Sequence, residues 1–237
     1  MTTQQRLADI FVELTGVDHA APGKATELLS VLAVRSRELL GTRACAVLSM
    51  PTSTEPVRAF GSDAASRDLV LLAHTMDEGP CPDCYRAGAP VPRTDLTSAV
   101  TRQRWPNYAP RALALGFTQV AARPLQGRES VVGALVVYGT EDAPITDEGL
   151  VLAQSLADVV AVVLLRDREL RQSLLLTDQL THALSSRLAI EQAKGVIATR
   201  KSLTMDEAFA LLRGHARSHQ RKIAEAARDV VEGRLEL

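Results

Sequence analysis

Aromatic side chains are scarce in this sequence: Phe, Trp and Tyr together supply 3% of 237 residues. With so few rings, Trp105, Tyr108, Tyr85 and Phe117 are either shared core or the lining of a ligand pocket, and both readings stay open. Cysteine is nearly absent too. Three residues, an odd number, argue against the paired framework of a small secreted domain. No apolar run is counted that approaches the roughly 20 residues of a membrane span. The first residues, Met1 to Arg6, lack the apolar core of a secretory signal. A cytoplasmic location without membrane attachment is therefore expected. The motifs of hydrolases and nucleotide-binding enzymes are missing as well. There is no Ser/His/Asp set, no phosphate loop and no zinc-protease helix, so no catalytic residue and no metal site is assigned. Two acid pairs, Asp77 with Glu78 and Glu141 with Asp142, fall in turns, where solvated carboxylates are ordinary.

What remains is an evenly composed chain, 46% hydrophobic and 23% charged, long enough for two small domains. Residues 4–15 read as a helix with Leu7, Ile10, Phe11 and Leu14 on one side, followed by a break at 19–23. A second helix carries Leu28, Leu29, Leu32, Ala33 and Leu39 and ends at Gly41. Strands are expected at 44–50 and 56–60, a helix at 62–75, and a turn into a short helix over 77–88. An edge strand with two prolines follows at 89–93. Trp105-Pro106 opens a helix to Leu115. The two best strands, 117–124 and 130–139, are joined by a hairpin through 126–129. Thr146 starts a closing helix, with Asp147 and Glu148 in its first turn and Ile145 and Leu150 placed as a hydrophobic staple.

No proline, and no glycine between Gly149 and Gly195, interrupts that last helix, so it is expected to run to about residue 200. Leu170, Leu174, Thr177, Thr181, Leu184 and Leu188 recur at alternating spacings of four and three. This is a heptad seam with a polar centre. It predicts a parallel homodimer, the plainer alternative being packing onto the chain's own first domain.

The C-terminal stretch holds three amphipathic helices. Ile190, Ala193 and Ile197 share one face, and Arg187, Glu191 and Lys194 share another. Gly195, inside the helix, suggests a close backbone approach. Thr204 and Glu207 form a capping box for a second helix, whose buried face is read as Ala208, Phe209, Leu212 and Ala216. Ile223, Ala226, Ala227 and Val230 line a third, closed by Gly233. From Arg187 to Lys222 there are eight basic and three acidic residues, a local charge of +5 in a chain of −1. Such asymmetry suits a nucleic-acid face, although a charged helix face is more often merely solvated.

This region resembles the ANTAR family, the RNA-binding domain of transcription antitermination regulators. The resemblance rests on Arg187, the run Ile190 to Gly195, Arg200, Ala208-Phe209, Leu212-Arg213, Ala216, Ala227 and Val230-Val231. It implies a three-helix module that binds paired stem-loops in nascent mRNA leaders. The preceding 160 residues resemble a GAF domain, through Glu78-Gly79-Pro80-Cys81, Gly88, Pro90-Val91, Pro124-Leu125 and Val132 to Leu135. The order is that of actinobacterial GAF–ANTAR proteins.

The expected fold class is α+β. A GAF-like sensor domain, an antiparallel sheet flanked by helices, spans 4–165. A connecting coiled-coil helix spans 166–180, and an ANTAR module spans 181–236. The expected function is a signal-responsive, non-enzymatic antiterminator that contacts RNA stem-loops through Arg187, Gln192, Lys194, Arg200, Arg213, Arg217 and Arg221. His215 and His219 are further candidates to stack on bases. The signal is an unidentified small molecule or redox change, with Cys81, Cys84, Tyr85, Trp105, Tyr108 and Phe117 as pocket candidates. No cofactor is named. Cys81-x-x-Cys84 is either a redox or metal-ligating pair or two small buried residues, and Cys45 joins it only if the fold permits. Two other functions compete: a DNA-binding regulator built on three short helices, and a ligand or redox sensor whose C-terminal helices only dimerise.

Overall fold

The computed structural model describes residues 24–50, 56–127 and 131–237. The helix expected at 4–15, the break after it and part of the hairpin at 126–129 lie outside the described residues. The chain divides into two compact units, Met1–Glu169 and Leu170–Leu237.

The first unit opens with α1 (Lys24–Leu40) and the strands β1 (Ala44–Ser49) and β2 (Arg58–Gly61). Then come α2 (Ala64–Met76), α3 (Pro80–Ala87) and β3 (Val91–Asp95). Two short helices follow, α4 (Ala99–Arg104) and α5 (Tyr108–Ala114). β4 (Gln119–Gln126), β5 (Val131–Gly139) and the start of α6 (Asp147–Lys201) complete it. The five strands form one antiparallel sheet in the order β2-β1-β5-β4-β3. Thus β3, which contains Pro92 and follows Pro90, sits at an edge, where a missing N–H costs no ladder bond. No element is expected from the sequence between residue 93 and Trp105, where α4 lies. In the structure Ser98 caps α4 separately, its hydroxyl accepting the Thr101 N–H.

Both faces of the sheet are buried, so β1 and β5 read as continuous apolar runs rather than alternating ones. On one face Cys45, Val47, Leu135 and Val137 pack against α1 and the first turns of α6. On the other, Ala46, Leu48, Val136 and Tyr138 pack against α2, α3 and α5. Period-two alternation therefore places Cys45 and the pair Cys81/Cys84 on opposite faces.

The opening of α6 corrects the count of apolar runs. It contains an 18-residue window of mean hydropathy 1.9, apolar enough by length and composition to cross a membrane. Leu150, Ala153, Leu156, Ala157, Val160, Ala161 and Leu164 from this stretch are buried in the first core. That is one side of the helix: 44% of the window is buried, and Val151 and Val162 on the other side are exposed.

In the second unit, the last turns of α6, α7 (Met205–Ser218) and α8 (Ile223–Val231) surround a small core. Thr204 and Glu207 make the expected capping box. The core is Ala189, Ala193, Ile197, Ala208, Leu212, Ala216, Ala226, Ala227 and Val230. Six of these nine are alanine. Two expectations are corrected here. A Cβ on Gly195 would meet nothing within 4 Å, so no close approach depends on it; Ala193 and Ile197 make the contacts beside it. Phe209 is half-buried rather than buried, and lies outside the core cluster.

Candidate nucleic-acid interface

Arg213 and Arg217 are one turn apart on α7, and Arg221 follows in the loop to α8. With Phe209, Ala216 and Ile223 they line a groove of about 490 Å³. Its lining is half apolar side chains and half cationic ones. Arg221 is the paired member: it donates to Asp229 at 2.6 Å, and Asp229 also accepts from Arg234 at 3.0 Å. Those two guanidinium donors hold the Asp229 carboxyl below its usual range. Among the described residues, Arg213 and Arg217 have no carboxylate partner. Like charges one turn apart destabilise a helix slightly, so this pair is a local cost that a polyanion relieves.

Lys194 enters from α6. Its ammonium binds both oxygens of Glu191, at 3.1 and 2.9 Å, and lies 5.7 Å from the centre of the Phe209 ring. Only 16% of its side chain is exposed, so it braces the groove wall more than it faces solvent. Arg187, Gln192 and Arg200 are exposed on α6 and are not part of this lining. His215 and His219 stack on each other, with centroids 4.0 Å apart. Partial burial, with the charges of His219 and Arg221, lowers the pKa of His215. The ANTAR resemblance and the local charge of +5 point to the arginines in the sequence. Neither shows the groove's apolar half, because the face to which Phe209 and Ile223 belong depends on how three helices pack.

In the first unit the expected pocket residues form a core. Trp105, Tyr108 and Phe117 are fully buried with Cys81 and Cys84, while Tyr85 is exposed. Trp105 and Tyr108 meet edge-on, and Phe117 stacks on Tyr138 at 4.6 Å. The Trp105 indole donates to Asp83 at 3.0 Å, a carboxylate also held by Arg86 and Arg104. The hydroxyls of Tyr108 and Tyr138 are buried near one another without a well-formed hydrogen bond. Burial pushes the Cys84 and Cys45 thiols up to about 12, and Cys81 higher still. All three are free thiols. No group of three or more metal-ligating side chains occurs among the described residues.

The motif Glu78-Gly79-Pro80-Cys81 has a structural reason. Gly79 adopts φ +116°, and a Cβ there would lie 2.9 Å from the Tyr108 ring. Pro80 opens α3. The Glu78 carboxylate accepts the N–H groups of Asn107 and Tyr108 at the start of α5. A second cleft of about 430 Å³ lies on the other side of the sheet, bordered by Pro90, Arg123, Leu150 and Gln154. There, among the described residues, Arg123 donates to the main-chain carbonyls of Leu150, Val91 and Ala122.

Two family models match the sequence: a GAF domain over residues 25–165 and an ANTAR domain over residues 178–231. The chain belongs to the GAF family and ends in an ANTAR domain. In this GAF–ANTAR protein a domain of the sensor type thus precedes a domain of the kind found in regulators. No curated protein matches it. Among solved structures, it is similar to the GAF domain of an Acinetobacter phosphoenolpyruvate-protein phosphotransferase. The identity is 14% and the TM-score 0.49, over 71% of this chain and 97% of that one. The corresponding domain from Coxiella burnetii is 17% identical, with a TM-score of 0.49 over 71% and 98% of the two chains. The GAF-B domain of DevS from Mycobacterium smegmatis is 19% identical, with a TM-score of 0.44 over 63% and 98%.

Proposed function

We propose that this GAF–ANTAR protein is a signal-responsive, non-enzymatic antiterminator that binds stem-loops in nascent mRNA leaders. The observation that carries the reading is the groove in the ANTAR unit. It combines two arginines without carboxylate partners among the described residues, a third held by Asp229, and three apolar side chains. Guanidinium groups bind phosphate oxygens in two-pronged geometry, and sequence-specific RNA recognition favours unpaired bases over paired ones. Arg187, Gln192 and Arg200, exposed on α6, extend the contact surface.

The protein acts as a homodimer in this reading. Leu170, Leu174, Leu184 and Leu188 are 46, 61, 68 and 60% exposed, at the spacing of a heptad seam. Thr177 and Thr181 at its centre are exposed too. A small-molecule signal acts on the sensor domain. The apolar opening of α6 belongs to the sensor core, which supports a cytoplasmic protein rather than a membrane anchor.

The deciding experiment is competition. Tandem RNA stem-loops should displace a labelled stem-loop probe, and duplex DNA of equal length should not. Preferential displacement by the DNA would favour the DNA-binding alternative.

A further inference from the structure

Phe209 is the one Phe, Tyr or Trp in residues 170–237. A domain core normally claims such a ring first, since an aromatic side chain offers the largest apolar area to bury. Here the core is made of six alanines with Ile197, Leu212 and Val230, and the ring stands half-buried beside it. It forms one wall of the groove that also contains Arg213, Arg217 and Arg221.

The ring is held rather than loose. The Lys194 ammonium sits 5.7 Å from its centroid, fixed in turn by two contacts to Glu191. A cation near an aromatic ring is attracted to its π face, and this contact restrains the ring. Ala216 and Ile223 continue the apolar surface next to it. Thus one π surface, two aliphatic neighbours and three guanidinium groups border a space within the roughly 300–1,000 Å³ range of ligand pockets.

We infer that Phe209 is a stacking platform for one unpaired nucleobase of an RNA loop, whose flanking phosphates are held by Arg213 and Arg217. The inference rests on the RNA-binding reading above and adds the point of base contact. Charge complementarity selects this occupant. An apolar peptide would leave Arg213 and Arg217 uncompensated, and a paired helix keeps its bases stacked on each other and offers no free face. Stacking on an aromatic ring accepts any base, so Phe209 distinguishes unpaired from paired RNA rather than one base from another.

The test uses the full-length chain and two probes: tandem RNA hairpins with unpaired adenosine loops, one loop base replaced by 2-aminopurine, and a fully paired RNA duplex. Phe209→Leu keeps an apolar side chain and removes the π face. It should weaken hairpin binding at least about five-fold and abolish the change in 2-aminopurine fluorescence seen with the parent. Duplex affinity should be unchanged, and Phe209→Tyr should behave as the parent. A photo-crosslink from 5-iodouridine in the loop of the parent complex gives a readout that does not depend on the variant folding. It should map to Phe209 or its groove neighbours. Equal hairpin affinity and fluorescence response for Phe209→Leu and parent, or a crosslink confined to other surfaces, overturns the stacking role while leaving RNA binding standing. A parent that binds neither probe overturns both.

Discussion

Glu78 accepts the backbone N–H of Tyr108 at 2.7 Å, and that of Asn107 at 2.6 Å. One carboxylate thereby satisfies two donors at the start of α5, thirty residues away in sequence, and its charge suits the positive end of a helix. Partial burial acts to raise its pKa, but the hydrogen bonds from Tyr108 and Asn107 outweigh it and hold the carboxyl below the usual range. Glu78→Ala should lower the stability of the sensor domain by about 1–2 kcal/mol, the scale of a lost helix cap. Because the folded-state pKa is depressed, this contribution is complete above the unfolded pKa, about 4.3, and fades as pH falls through the folded value. Melting curves should show parent and variant diverging at neutral pH and converging in acid. Equal stability at neutral pH would remove Glu78 from this role.

The buried thiols should be unreactive. Burial keeps Cys45, Cys81 and Cys84 protonated at neutral pH, and only the thiolate attacks an alkylating reagent. Iodoacetamide at pH 8 should label the native protein far more slowly than the urea-unfolded one, and Cys81→Ser with Cys84→Ser should bind RNA as the parent does under reducing, oxidising and zinc-replete conditions. Rapid labelling of Cys81 or Cys84 in the native protein would restore the redox or metal-binding alternative.

Each arginine of the groove should be visible in salt dependence. Arg213→Ala or Arg217→Ala should weaken binding to stem-loop RNA and reduce the slope of log affinity against log salt by about one, as one phosphate contact is lost. Arg221→Ala should also lower stability, since it leaves Asp229 with only Arg234. Unchanged slopes for both Arg213→Ala and Arg217→Ala, with intact helical content, would move the interface elsewhere on the ANTAR unit.

The exposed leucine seam predicts self-association. Leu174→Lys with Leu184→Lys should shift sedimentation equilibrium from dimer to monomer, and Thr177→Leu with Thr181→Leu should tighten the dimer. Since α6 is helical from Asp147 to Lys201, a Gly-Ser insertion after Leu176 should uncouple signal response from RNA affinity. A parent protein that stays monomeric at micromolar concentration, or normal signal response after the insertion, would exclude this route.

Much of this was legible in the sequence because it depends on local rules. The capping box at Thr204 and Glu207, the uninterrupted run behind α6, and the period of the three C-terminal helices follow from neighbouring residues alone. So does β3, whose Pro92 suits a sheet edge. Both domain families were recognisable from short ordered motifs. The tertiary structure decided what spacing leaves open. Residue alternation along β1 set Cys45 on the face away from Cys81 and Cys84, and so separated the three thiols. The apolar start of α6 resembles a membrane span in composition, and only the sheet beneath it makes it a core helix. Phe209 lies next to the buried Ala208 on α7, about 100° around the helix. On which side of the core boundary its ring falls depends on how closely α6 and α8 approach. The core between them is mostly alanine, and the ring stays outside it and lines the arginine groove.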